Sequence, residues 1–85
     1  MSKASKSFIR LNQDFYLDRN DIGKIISVII DYDYYYTKKE YENCLLIDLF
    51  FKDNIRPSQM TILWNGTIVN VAINKLNDIR VKYLS

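Results

Sequence analysis

The sequence predicts a small, mostly antiparallel β domain, and three observations carry that prediction. The dipeptide Asn65-Gly66 sits between two short apolar runs, 60–64 and 67–73. A two-residue type I′ turn needs positive φ at both central positions, which Asn and Gly supply at little cost. Lys24 to Tyr36 is a long β-branched and aromatic run whose even positions, Ile26, Val28, Ile30, Tyr32 and Tyr34, form one apolar face. Near the end, Ile79, Val81 and Tyr83 alternate with charged residues, the period-two spacing of a half-buried strand.

Taken in order, residues 1–7 are rich in Ser and Lys and read as a mobile arm. That leaves 8–85 as one domain, near the small end of what a single core stabilises. Phe8 to Asn12 reads as a first strand with Ile9 and Leu11 inward. Gln13 to Ile22 is a polar excursion around Phe15, Tyr16 and Leu17, ended by the turn chemistry of Asp18-Arg19-Asn20-Asp21-Ile22-Gly23. In the strand that follows, Ile25 and Ile29 make the odd face apolar as well, so its first half is expected to be covered on both sides. Thr37-Lys38-Lys39-Glu40 reads as a turn.

Tyr41 to Lys52 alternates again. Strict alternation places Tyr41, Leu45, Ile47, Leu49 and Phe51 on one face and Glu42, Cys44, Leu46, Asp48, Phe50 and Lys52 on the other. A helix over 39–51 is the rival reading, because Lys, Glu and Leu are good helix formers; the lack of a 3.6-residue apolar stripe favours the strand. Lys52 to Ser58 is a loop, with Arg56 held extended by Pro57. The Asn-Gly turn then fixes a register. Trp64 meets Thr67, Ile62 meets Val69 and Met60 meets Val71 on the core face, while Leu63 meets Ile68 and Thr61 meets Asn70 on the other. Asn74 to Asp78 reads as one short helical turn with Leu76 tucked inward, before the closing strand.

This order of parts resembles a small SH3-like barrel of five to six strands with one short 3₁₀ turn. Its parts fall at Phe8–Asn12, the Gln13–Asp21 loop, Ile22-Gly23-Lys24-Ile25-Ile26, the Asn65-Gly66 hairpin, Asn74–Asn77 and Ile79–Tyr83. The stretch Ile62-Leu63-Trp64-Asn65-Gly66, with Leu76 and Ile79 downstream, is similar to short proteins of tailed phages, and Asp21-Ile22-Gly23-Lys24-Ile25 resembles the Gly-centred core of KOW-type barrels. The resemblance covers residues 8–34 and 60–84, leaving 35–59 as an added segment, and it transfers a fold rather than an activity.

Composition removes much chemistry. There is no His, so the commonest general base, metal ligand and nucleophile partner is missing. The single Cys44 rules out an internal disulfide and a Cys-rich zinc site, and two glycines cannot build a phosphate-cradling loop. No cofactor or metal is expected. Asp31 and Asp33, two apart on one strand face, could share a proton or hold a divalent cation through oxygen, and they read more simply as solubilising groups. The Met-Ser-Lys-Ala-Ser-Lys-Ser start lacks the apolar core of a signal peptide, and the longest apolar run, Cys44 to Phe51, is broken by Asp48. The expectation is a protein of the host cytoplasm or a virion, not secreted.

Enzymes built on carboxylate pairs stay open but disfavoured, and binding is the class the residues favour. Tyr32, Tyr34, Tyr35, Tyr36 and Tyr41 form an unusual aromatic cluster. Tyr joins an apolar body to a polar tip, as binding surfaces require. With Leu46 and Phe50 they are the expected protein interface of a non-catalytic interaction module of phage type, acting on a partner protein or on a second copy, while the tyrosines also read as plain cross-strand packing or as a platform for stacking nucleobases. The alternative is a KOW-like nucleic-acid or ribonucleoprotein binder using the basic termini, Lys3, Lys6, Arg10, Arg80 and Lys82. Net charge is only +2, which gives a polyanion little general attraction, and no membrane association is expected.

Overall fold

A computed structural model describes residues 7–32, 37–76 and 78–84. Among them six strands form one antiparallel sheet: β1 (Ile9–Arg10), β2 (Ile25–Tyr32), β3 (Thr37–Phe51), β4 (Pro57–Trp64), β5 (Thr67–Val71) and β6 (Asp78–Tyr83). The strand order is β1-β6-β2-β3-β4-β5. Among the described residues the sheet is not closed, with β1 and β5 as its two edges, so the expected barrel is not confirmed. Two 3₁₀ turns, Arg19–Asp21 and Ile73–Lys75, stand where one was expected, and the second begins one residue earlier than the sequence suggests.

The Asn-Gly hairpin has the expected register, residue for residue, from Trp64↔Thr67 to Met60↔Val71. Its turn places Asn65 at φ 50° and Gly66 at φ 76°, the left-handed geometry a type I′ turn demands. Met60, Ile62 and Val71 are buried, whereas Trp64 and Val69 are half-buried against the core.

Residues 41–51 are strand, as preferred over helix, but Thr37–Glu40 is the start of that strand and not a turn. Likewise Pro57 opens β4 and does not lie in a loop. A proline fits a first strand position because no ladder N–H is asked of it there.

The regular alternation expected along β3 does not occur. Between Ile26↔Cys44 and Val28↔Tyr41, β3 spends one residue more than β2, and Asn43 takes φ 53°. Between Leu46↔Ile62 and Asp48↔Thr61, β3 again carries an extra residue, Ile47. Each bulge reverses which parity faces inward. Tyr41, Cys44, Leu46 and Leu49 are therefore all buried, although Tyr41 and Leu49 are odd and Cys44 and Leu46 even. A third irregularity, between Phe50 and Phe51, gives β4 the extra residue Ser58.

At every bulge a short polar side chain takes up a backbone group. The Ser27 hydroxyl accepts from the Asn43 N–H (3.1 Å), which explains a buried serine within an isoleucine-rich strand. Asp48 Oδ1 accepts from the Leu49 N–H (2.9 Å), and Ser58 Oγ donates to the Phe50 carbonyl (3.2 Å). A buried ladder group left without such a partner would cost about 1–3 kcal/mol.

The bulges bend the sheet around one core, to which all strands but β1 contribute buried residues and which Leu11 and Leu17 join from the segment after β1. Arg19 covers its rim, its guanidinium 4.7 Å from the Phe51 ring centre.

Candidate docking surface

With one side of the sheet wrapped around the core, the other side faces outward, and the registers decide what lies there. Ile26, Leu46 and Ile62 point inward, so their chain neighbours Ile25, Leu45 and Leu63 point outward. Ile25 pairs with Leu45, Leu45 with Leu63, and Leu63 with Ile68. Leu84 extends the row beyond β2, its N–H donating to the Ile25 carbonyl at 3.1 Å. One aliphatic row thus crosses β6's C-terminal end, β2, β3, β4 and β5 on the outer face. Leu84, Ile25 and Ile68 are exposed, Ile68 at 63 %, while Leu45 and Leu63 between them are half-buried. Directly opposed side chains stand about 4.5–5.5 Å apart at Cβ, so the row is continuous. Ile47 and Phe50 lie further along β3 and are exposed too, Phe50 at 56 %.

Of the expected interface residues whose side chains are described, Phe50 stands open to solvent. Leu46 is fully buried at 0 % exposure and Tyr41 is buried at 6 %; both belong to the core, because the bulge at Asn43 turns them to the same side. Tyr41 packs edge-on to Trp64, ring centres 5.0 Å apart. Tyr34, Tyr35 and Tyr36, the side chain of Tyr32, and Asp33 lie outside the described residues. Asp31 sits across from Lys38 on one side and Asp78 on the other.

Of the basic set, Lys3 and Lys6 lie outside the described residues, and the other three are brought together. Arg10 pairs with Arg80 across β1 and β6, and Lys82 follows two residues along. Asp78 sits among them: its carboxylate meets Arg10 Nε at 3.5 Å and Arg80 Nε at 3.0 Å, while Lys82 Nζ stands 5.0 Å over the Phe8 ring. Phe8, Arg10, Gln13, Asp14 and Arg80 line an open groove of about 370 Å³. The patch is basic, but two of its three cations share one carboxylate, and Asp14 adds a second negative charge at the rim.

Two buried groups hold the scaffold and do not face a ligand. Asp21 accepts from the Asp18 N–H (2.9 Å) and from Lys24 Nζ (2.9 Å). It also holds the Tyr83 hydroxyl, whose pKa is pushed up first by burial and then by the Asp21 charge and hydrogen bond, with Asp18 adding to the rise. Cys44 is buried, its Sγ 3.2 Å from the Ile26 carbonyl, and burial pushes the thiol up to about 11. At neutral pH it is a thiol, not a nucleophilic thiolate. Among the described residues no group of three or more Cys, Asp or Glu is placed to share a metal ion, and no helix is long and apolar enough to cross a membrane.

The aliphatic row is not legible in the sequence because its members come from five segments and meet only through non-local registers. Only the Leu63–Ile68 pair, fixed by the local turn, is legible there. Comparison with family models, with curated proteins and with solved structures finds no match to this chain.

Proposed function

We propose that this chain is a non-catalytic protein-interaction module whose docking surface is the outer aliphatic row from Leu84 through Ile25, Leu45 and Leu63 to Ile68. The row itself carries the reading: in-register aliphatics crossing four strands and the residue after β6, uninterrupted by charge, are what a partner's apolar surface would cover. The non-catalytic part is supported by the chemistry at hand, since the chain has no His and its one thiol is held protonated in the core. The strand order β1-β6-β2-β3-β4-β5, with a 3₁₀ turn before the last strand, supports reading the fold as SH3-like with residues 35–59 supplying an added strand. An accessory or virion-associated role in a tailed phage is the setting the sequence resemblance suggests.

The second reading, a KOW-like nucleic-acid binder, is favoured by the meeting of Arg10, Arg80 and Lys82 on one patch. It is the weaker of the two because Asp78 already occupies both arginines.

Affinity capture with the tagged chain, with and without nuclease, tests both. A defined protein partner that survives nuclease and is lost on Ile25→Lys, with the fold retained by circular dichroism, supports the docking reading. Capture that disappears with nuclease, and weakens steeply with salt as counterion release requires, transfers the function to the basic patch.

A further inference from the structure

The free edge of β5 makes a demand of its own, independent of what the outer row binds. In a two-residue hairpin the residues flanking the turn form a hydrogen-bonded pair, and such pairs then alternate along the ladder. With Trp64↔Thr67, Ile62↔Val69 and Met60↔Val71 as those pairs, the N–H and C=O of Thr67, Val69 and Val71 point toward β4. Those of Ile68 and Asn70 point the other way, where no strand pairs with β5 among the described residues.

Natural sheets blunt an edge like this with Lys, Pro, a bulge or shortness. β5 has none of these. Thr67-Ile68-Val69-Asn70-Val71 carries no charge and no proline, pairs with β4 without a register shift, and is largely solvent-exposed up to Val71.

We infer that β5 is a self-pairing edge, where a second copy of this chain joins antiparallel along Thr67–Val71 about a two-fold axis at Val69. The outward-facing residues are symmetric about that point. Ile68 would exchange both backbone hydrogen bonds with Asn70 of the second copy, and Asn70 with its Ile68, giving four bonds for the two outward positions on each chain. Val69 would stand opposite its own equivalent as a close non-hydrogen-bonded pair, burying a side chain that is half-exposed in the single chain. No like charges are brought together, because the segment has none. The partner must be an extended, uncharged strand with a free edge, and among the described strands β5 itself is the one that qualifies. The other edge, β1, is two residues long and includes Arg10. The outer rows of the two copies would meet out of line, Ile68 of each standing opposite Asn70 of the other, in an isologous arrangement that closes at two.

Sedimentation velocity over a range of concentrations reads this directly. The wild-type chain is expected to move from 10.1 kDa toward twice that mass as concentration rises, and Ile68→Lys/Asn70→Pro to stay at the single-chain mass. The proline removes an N–H that β4 does not use, so the hairpin is retained. Amide exchange on the wild-type chain gives a second readout that needs no variant. Ile68 and Asn70 N–H groups should be protected at high concentration and released on dilution, while Val69 N–H, bonded to β4, stays unchanged. A single-chain mass throughout, or protection at Ile68 and Asn70 that ignores concentration, overturns the inference. So does a dimer that persists in the double variant, or one abolished by Ile25→Lys, which would assign it to the outer row. A monomer that still captures a protein through Ile25 sinks self-pairing and leaves the docking reading standing.

Discussion

The two edges of this sheet are finished in opposite ways. At β1 the chain makes two residues of strand and turns on itself: Asn12 adopts φ 66°, and its N–H, which faces away from β6, is taken by the Phe15 carbonyl at 2.7 Å. Phe15 then packs edge-on to Tyr83, Leu17 enters the core, and Arg10 and Arg80 close on Asp78. At β5 the hairpin presents five uncharged residues, and no strand among the described residues pairs with their outer edge. One edge is sealed by its own chain and the other is left as a strand template. The difference teaches that the folded unit is asymmetric in where it can grow: association by strand addition has one available side.

The comparison can be broken or sharpened by substitution. Leu46, on the central strand β3, supports both edges. Leu46→Ala should cost about 2–5 kcal/mol, shift the denaturant midpoint accordingly, and speed amide exchange in β6 and β4 alike. Leu17→Ala should cost a similar amount yet loosen the β1 side selectively; equal loosening at β5 would mean the edges are not independent.

Gly66→Val acts on the other side. No atom lies within 4 Å of the position a Cβ would take, so the cost is that of a β-branched residue at φ 76°, about 1–3 kcal/mol. Exchange protection should fall in β4 and β5 while β6 keeps its own. Unchanged stability would show that the open edge does not depend on its turn.

Tyr83→Phe removes a hydroxyl held by Asp21 beside the sealed edge, worth about 0.5–1.5 kcal/mol. It also bears on pH. Tyr83 and Cys44 both have folded-state pKa values raised above their unfolded ones. The unfolded chain releases these protons while the folded chain keeps them, so their contribution is fully present below the unfolded values. It is lost as pH rises from about 9 toward 11 and beyond. Urea titrations across that window should show falling stability, with a shallower slope in Tyr83→Phe. Smallest of all, Asp78→Asn should change stability by under about 1 kcal/mol, since its ion pairs are partly exposed. It should also raise salt-sensitive retention on a polyanionic resin by freeing Arg10 and Arg80.

How much of this was legible in the sequence depended on distance along the chain. The β4–β5 register follows from two turn residues and their neighbours, and the structure has it to the last pair. The inward face of β2 followed from β-branched alternation. The face of β3 did not, because its first bulge rests on a bond between Ser27 and Asn43, sixteen residues apart. Nothing local distinguishes Leu46 as core from Leu46 as surface. The hints were a serine inside an isoleucine run and an asparagine inside a strand, each out of place until the other is seen. Tyr41 and Leu46 were misassigned for that reason. The outer row was invisible for the same one: it exists only once β2, β3 and β4 are in register.

The two bulges in β3 have a further consequence, for what the chain avoids becoming. A segment as apolar as Cys44-Leu45-Leu46-Ile47-Asp48-Leu49-Phe50-Phe51 has a second way to be a strand: straight, with Tyr41, Leu45, Ile47, Leu49 and Phe51 in one flat stripe. That phase stacks readily on copies of itself, as in cross-β fibrils. The native fold uses the other phase, in which Cys44 and Leu46 are hidden and Leu45 and Ile47 are not. Its two inserted residues put the middle of the strand out of step with its ends. A flat template cannot recruit this segment without first erasing both steps, so the irregularity that curls the sheet also stands as a barrier between the native fold and its aggregated competitor.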